Sequence, residues 1–138
     1  MAQFDRYCQT GDILLFKDNH TFAKVQRFFT NSECDHVGMV FRDERYGICI
    51  FESNGGTGVS LAMWSQLIRY KWFQNIEGIF WRRLNMQDKP EDFEEKVKQF
   101  IKVNLNKEYG ISLGKLFASK EIEFDDPSDE KSRTYFCS

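Results

Sequence analysis

The sequence has little proline, only two histidines, no marked excess of either charge and no long apolar run. Each shortage excludes something. Nineteen Lys and Arg against 21 Asp and Glu leave a net charge of -2, and no face gathers basic residues, so no nucleic-acid partner is expected. The longest apolar run, Ile13-Leu14-Leu15-Phe16, falls far short of the roughly 20 residues a membrane helix requires. No stable membrane insertion is expected. The opening stretch MAQFDRYCQTGD has no basic segment followed by an apolar one, so it does not read as a secretory signal. The expected location is cytoplasmic, and the four cysteines (Cys8, Cys34, Cys49 and Cys137) read as free thiols rather than a disulfide framework. Two prolines stand against 14 phenylalanines, an aromatic load that disordered chains lack. At 138 residues and 41% hydrophobic, the chain has the material for one domain around one core.

The pattern of apolar residues orders the chain. Gly11 to Phe16 (GDILLF) is a turn followed by a buried strand. In HTFAKVQRFFT, Phe22, Val25, Phe28 and Phe29 recur at helical spacing, with Thr21 as the expected cap. Asp35 to Arg42 and Tyr46 to Ser53 are β-rich runs separated by Asp43-Glu44-Arg45, which predicts a hairpin. SNGGTG is a turn, VSLA a third strand pairing back onto the hairpin, MWSQLIRY a short helix and Gly78 to Leu84 a further strand. After Pro90 the period changes: Phe93, Val97, Phe100, Ile101 and Leu105 lie on one helical face, with acids in the first turn. A second helical segment, GISLGKLF, follows, and residues 119–133 are acidic and polar, expected as a flexible loop. There are no internal repeats. The fold class expected is α+β: an antiparallel β-meander of about five strands packed with helices.

The chemistry concentrates on few residues. His36 opens a strand, and sixteen residues on, Glu52 comes near the end of the next strand of the same hairpin. Adjacent antiparallel strands can bring an imidazole and a carboxylate within hydrogen-bond reach. Such a pair is the base and its orienting acid in a nucleophilic triad. A thiol is the nucleophile that an imidazolium activates most readily, because the neighbouring positive charge lowers its pKa.

The ordered set Gly11-Asp12, His36-Val37-Gly38, Glu52 and Cys137-Ser138 resembles the circularly permuted papain-like hydrolases related to the NlpC family, which include lecithin-retinol-acyltransferase-like enzymes. The resemblance spans nearly the whole chain and implies one permuted papain-like domain over residues 1–138. It implies Cys137 as nucleophile, His36 as general base and then acid, and Glu52 as the orienting third member. The backbone N–H of Cys137, at a helix N-terminus in that family, becomes the implied oxyanion donor. In the family a helix follows the cysteine; here the sequence stops after Ser138, so a truncated C-terminus is expected.

Competing motifs are weaker. Gly110 to Gly114 spells G-x-S-x-G, yet a helical stretch precedes it and no histidine follows Ser112, so a nucleophile elbow is not expected. NGGTG lacks the Lys-Ser/Thr of a phosphate loop. Cys34 and His36 flank Asp35, but zinc needs about four ligands and no second Cys/His pair supplies them; neither a metal nor another cofactor is expected. Cys8 and Cys49 read as small core residues, Asp12 as a turn residue, and His20 as a cap or ornament of the first helix, without an acidic partner at hairpin spacing. Among Trp64, Trp72, Trp81 and Tyr109, the core takes most, and Tyr109 is the candidate for a substrate pocket. The function expected is a thiol hydrolase of small peptides, amides or acyl groups. Lipid acyl transfer is the near alternative, for which Arg69 to Phe73 (RYKWF) is the only stretch with a lipid-surface character, and a non-catalytic binding module that keeps the groove is the other. Nothing in the sequence sets an oligomeric state.

Overall fold

The computed structural model of the protein describes residues 2–55 and 58–107. It contains a five-stranded sheet in the order β4-β3-β2-β1-β5, with every neighbouring pair antiparallel. The strands are β1 (Ile13–Asp18), β2 (His36–Asp43), β3 (Gly47–Asn54), β4 (Gly58–Met63) and β5 (Ile76–Arg82). The helices are α1 (Ala2–Tyr7), α2 (Thr21–Thr30), α3 (Trp64–Arg69) and α4 (Phe93–Asn104), with a 3-10 turn at Trp72–Asn75. The class is α+β, as the sequence pattern indicates. Strands β1 to β4 lie in chain order, and β5 returns to the outer edge of β1.

Alternation along the strands sorts the apolar residues onto two faces. Leu14, Phe16, Val40 and Ile50 form one core with Phe4 and Cys8 from the N-terminal segment and Trp64 from α3. On the other face Phe41 and Cys49 pack with Ile101 of α4, and Met39, Phe51, Leu61, Met63 and Val97 surround them. The sheet is therefore covered on both sides. Beyond α4 the chain turns back to β4: Asn106 N–H donates to the Val59 carbonyl at 2.9 Å, and Val59 N–H to the Lys107 carbonyl at 2.8 Å.

The hairpin β2–β3 closes as its charged interval predicts. Asp43 accepts hydrogen bonds from the N–H groups of Arg45 (2.8 Å) and Tyr46 (2.9 Å), an Asx-type turn. Gly47 follows at φ +73°. These donors hold the Asp43 carboxyl below the usual range.

Several elements differ from the sequence reading. Helix α1 was not anticipated; its apolar content is little more than Phe4, too short a pattern for periodicity to register. Thr21 is the first helical residue rather than the cap, and His20 holds the N-cap position without a side-chain capping bond. The helical spacing holds in α2, but it does not bury every apolar residue: Phe28 is 82% and Phe29 69% exposed. The Gln26 and Arg27 side chains reach toward the sheet instead, because they satisfy polar groups at the start of β2. Asp12 is more than a turn residue. Its buried carboxylate accepts from Gln9 N–H, Trp81 Nε1–H and Leu84 N–H, each at 2.9 Å. That arrangement ties the loop before β1 to the end of β5.

Candidate active site

The first residue of β2 is His36, and its backbone is opposite Phe16 of β1. Glu52 of β3 is opposite Gly38. His36 and Gly38 are two residues apart and so share a face with Glu52. The imidazole and the carboxylate are thus diagonal neighbours across the hairpin, a spacing long side chains can bridge. Glycine between them leaves the diagonal clear. The result is a contact of 2.8 Å between His36 Nε2 and Glu52 Oε2. A carboxylate partner fixes the tautomer with the proton on Nε2, which puts the imidazole lone pair on Nδ1. The side chains of the pair are 24% and 19% exposed, half-sheltered yet open to a reactant.

Two further contacts hold the imidazole and its strand. The Phe16 ring stacks on it, centroids 5.5 Å apart and planes 29° from parallel. Just before it, Asp35 is bound to Arg27 of α2 in an ion pair. None of these partners was legible beforehand: the Phe16 contact depends on the register of β1 against β2, and Arg27 carries no motif.

Beside His36 lies a cavity of about 280 Å³. Phe16, Trp72 and Ile76 supply its apolar wall, and Asp18, His20, Asp35 and Asn75 its polar rim. His20 has an acidic neighbour two residues away, not at hairpin spacing: its N–H donates to Asp18 Oδ1 at 3.0 Å, and its Nε2 is 3.8 Å from the same oxygen. Of the tryptophans, Trp64 and Trp81 belong to the core and donate to Asp5 and Asp12. Trp72 is the one at the cavity, and among the described residues its indole N–H has no hydrogen-bond partner. Tyr109, Ser112, Cys137 and the acidic segment 119–133 lie outside the described residues.

The three described thiols are poorly suited to attack. Burial pushes the Cys8 and Cys49 thiols up in pKa, and both are only 1% exposed. Desolvation, with the nearby Asp35 and Glu33 carboxylates, pushes Cys34 up as well. A nucleophilic thiol needs the opposite shift. Cys8 and Cys49 are core residues, as their sequence context suggests.

Comparison with known proteins decides the family. Residues 7–138 match the family described as permuted papain-like amidase enzymes, YaeF/YiiX, C92. The chain belongs to it. A solved structure, that of the metalloprotein yiiX from Escherichia coli O157:H7, superposes with a TM-score of 0.59 at 25% identity. The match covers 75% of this chain and 53% of that one, so this chain spans about half the length of yiiX. No curated protein matches the sequence. The resemblance read from Gly11-Asp12, His36-Val37-Gly38, Glu52 and Cys137-Ser138 thus led to the permuted papain-like group. Within that group the chain falls in the C92 family. Although yiiX is described as a metalloprotein, no three His, Cys, Asp or Glu side chains among the described residues converge on a point where a metal ion could be held.

Proposed function

We propose that the protein is a cysteine-dependent amide hydrolase acting on small peptides or amides, with Cys137 as nucleophile, His36 as general base and acid, and Glu52 as the orienting carboxylate. The observation that carries this reading is the 2.8 Å contact between His36 and Glu52 in a chain of the permuted papain-like amidase family. The raised pKa of every described thiol favours Cys137 as the attacking group.

The chemistry runs in two balanced halves. His36 Nδ1 takes the thiol proton of Cys137 and the sulfur adds to the amide carbon. The C–N bond then breaks as the imidazolium returns its proton to the leaving amine. Water attacks the resulting thioester, giving a proton to His36 as it does so. The C–S bond breaks, the acid departs and the thiol regains its proton. Glu52 stabilises the imidazolium in both halves and keeps Nδ1 turned toward the sulfur. The cavity beside His36 has room for one substrate side chain against Trp72 and Ile76.

The test is site-resolved alkylation by iodoacetamide across pH, read peptide by peptide, on wild type, His36→Ala and Glu52→Gln. Cys137 is expected to react first, with an advantage that persists well below the ordinary thiol pKa of about 8.5. His36→Ala abolishes the advantage. Glu52→Gln, which weakens a charge-assisted hydrogen bond worth about 1.5–3 kcal/mol, lowers the rate by roughly tenfold to a hundredfold. A Cys137 that reacts no faster than Cys34 refutes the assignment.

A further inference from the structure

The two strand pairings of β2 begin at different residues. On the β1 side the strand is paired from the first residue, with Phe16 opposite His36. On the β3 side the ladder begins only at Gly38 and Glu52. His36 therefore opens its strand, and the residue just before it, Asp35, anchors the entry. The Asp35 N–H donates to the Phe16 carbonyl at 3.0 Å. Its carbonyl accepts from Gln26 Nε2 at 3.4 Å. Its carboxylate accepts from Asp18 N–H, at 3.1 Å to Oδ2, and from Arg27 Nη1. Arg27 Nη1 also donates to the Asp18 carbonyl at 2.7 Å. Every polar group of Asp35 is thereby tied to β1 or α2, and the Arg27 and Asp35 side chains are only 11% and 5% exposed.

We propose that Arg27 and Asp35 are positioning residues that hold the His36 imidazole in register with Glu52. The proposal rests on the reading of His36 as the general base. A buried ion pair is a weak source of stability, since desolvation offsets much of its attraction; what it supplies well is a fixed geometry. Here the geometry fixed is the peptide unit leading into His36. An error of about an ångström in a general base costs on the order of a hundredfold in rate. Asp35 also stands on the polar rim of the cavity, but the role assigned to both residues here is positional. Their effect passes through His36.

The experiment compares wild type with Arg27→Gln, Arg27→Lys and the double variant Arg27→Met/Asp35→Asn. The double variant removes both charges together, which avoids leaving one buried without its partner. Two readouts are taken on each: the ¹⁵N shifts of the His36 ring, which report its tautomer, and the alkylation rate of Cys137 at neutral pH. Circular dichroism confirms that each variant is folded. Wild type is expected to show one ring tautomer with the proton on Nε2. In Arg27→Gln and the double variant the ring shifts move toward a tautomer mixture, and Cys137 slows by roughly tenfold to a hundredfold. Arg27→Lys, which keeps the charge, recovers part of both. Folded variants whose ring shifts and Cys137 rate match wild type overturn the proposal, whatever their melting temperatures. If Cys137 is unreactive in wild type, the hydrolase reading falls by itself, while the ring shifts still decide the role of Arg27 and Asp35.

Discussion

Replacing Gly38 by alanine is predicted to strain the hairpin at the point where the site is built. A Cβ there would lie 2.5 Å from Ile50 Cγ2, while its next contacts, Phe16 Cε2 at 3.5 Å and the Phe51 carbonyl at 3.6 Å, are ordinary. Carbon atoms pack at about 3.5–4.0 Å, so Ile50 must give way by about an ångström. It has nowhere to go: Ile50 is 0% exposed, and Val40, opposite it on β2, is 0% exposed too. Overpacking of this kind costs about 1–3 kcal/mol. The lost flexibility of the unfolded chain returns about 0.4–1 kcal/mol. A net destabilisation of about 1–2 kcal/mol remains. Urea unfolding followed by tryptophan fluorescence measures it, and a double-mutant cycle with Ile50→Ala assigns it. With the isoleucine truncated, Gly38→Ala should cost nothing, giving a coupling energy of about 1 kcal/mol or more. Additivity within about 0.5 kcal/mol would refute the steric account of this glycine.

Two other outcomes follow from the packing. Asp12→Ala strands the N–H groups of Gln9, Leu84 and Trp81; Gln9 and Leu84 are exposed residues whose freed N–H groups water can reach, so a loss of about 1–3 kcal/mol, that of one unmet donor, is expected in the same urea assay. The pKa values of Cys8 and Cys49 are raised by burial, so above the ordinary thiol value of about 8.5 the unfolded chain sheds protons that the folded one keeps. Stability is therefore expected to hold below that pH and to fall as pH rises beyond it. Replacing both thiols by alanine should flatten the decline, measured as the urea midpoint between pH 7 and 10.5.

Much of the fold was legible because its signals are local. The runs around Asp43 to Arg45 alternate and turn within a few residues, and β2, β3 and β4 appear where those runs stand. The pairing of His36 with Glu52 was readable for the same reason: sixteen residues separate them across one hairpin. The rest depends on distant parts of the chain. Nothing in Gly78 to Leu84 says that β5 lies beside β1 rather than β4, since that choice is made by the crossover and by Trp81 reaching Asp12. The exposed Phe28 and Phe29 show the limit of periodicity in α2, where the side chain that matters most to the sheet is the polar Arg27. Trp72 could be marked only as surplus aromatic; its place at the cavity follows from Lys71, whose positive φ of 52° turns the chain from α3 into the 3-10 segment.

The hairpin between β2 and β3 also bears on the order in which the molecule assembles. Hairpins of this kind form in about 1–10 μs, and this one has its own Asx turn and carries both His36 and Glu52, although their final register also draws on Arg27 and Asp35. Contacts between remote segments form later, because chain entropy must be lost before they repay it. The imidazole and its carboxylate can thus meet early, in a partly folded chain. In the proposed mechanism Cys137, far along the sequence, would join a pair already made. On that reading, damage confined to the C-terminal region would spare the His36–Glu52 pair, and damage to the hairpin would remove it at the outset.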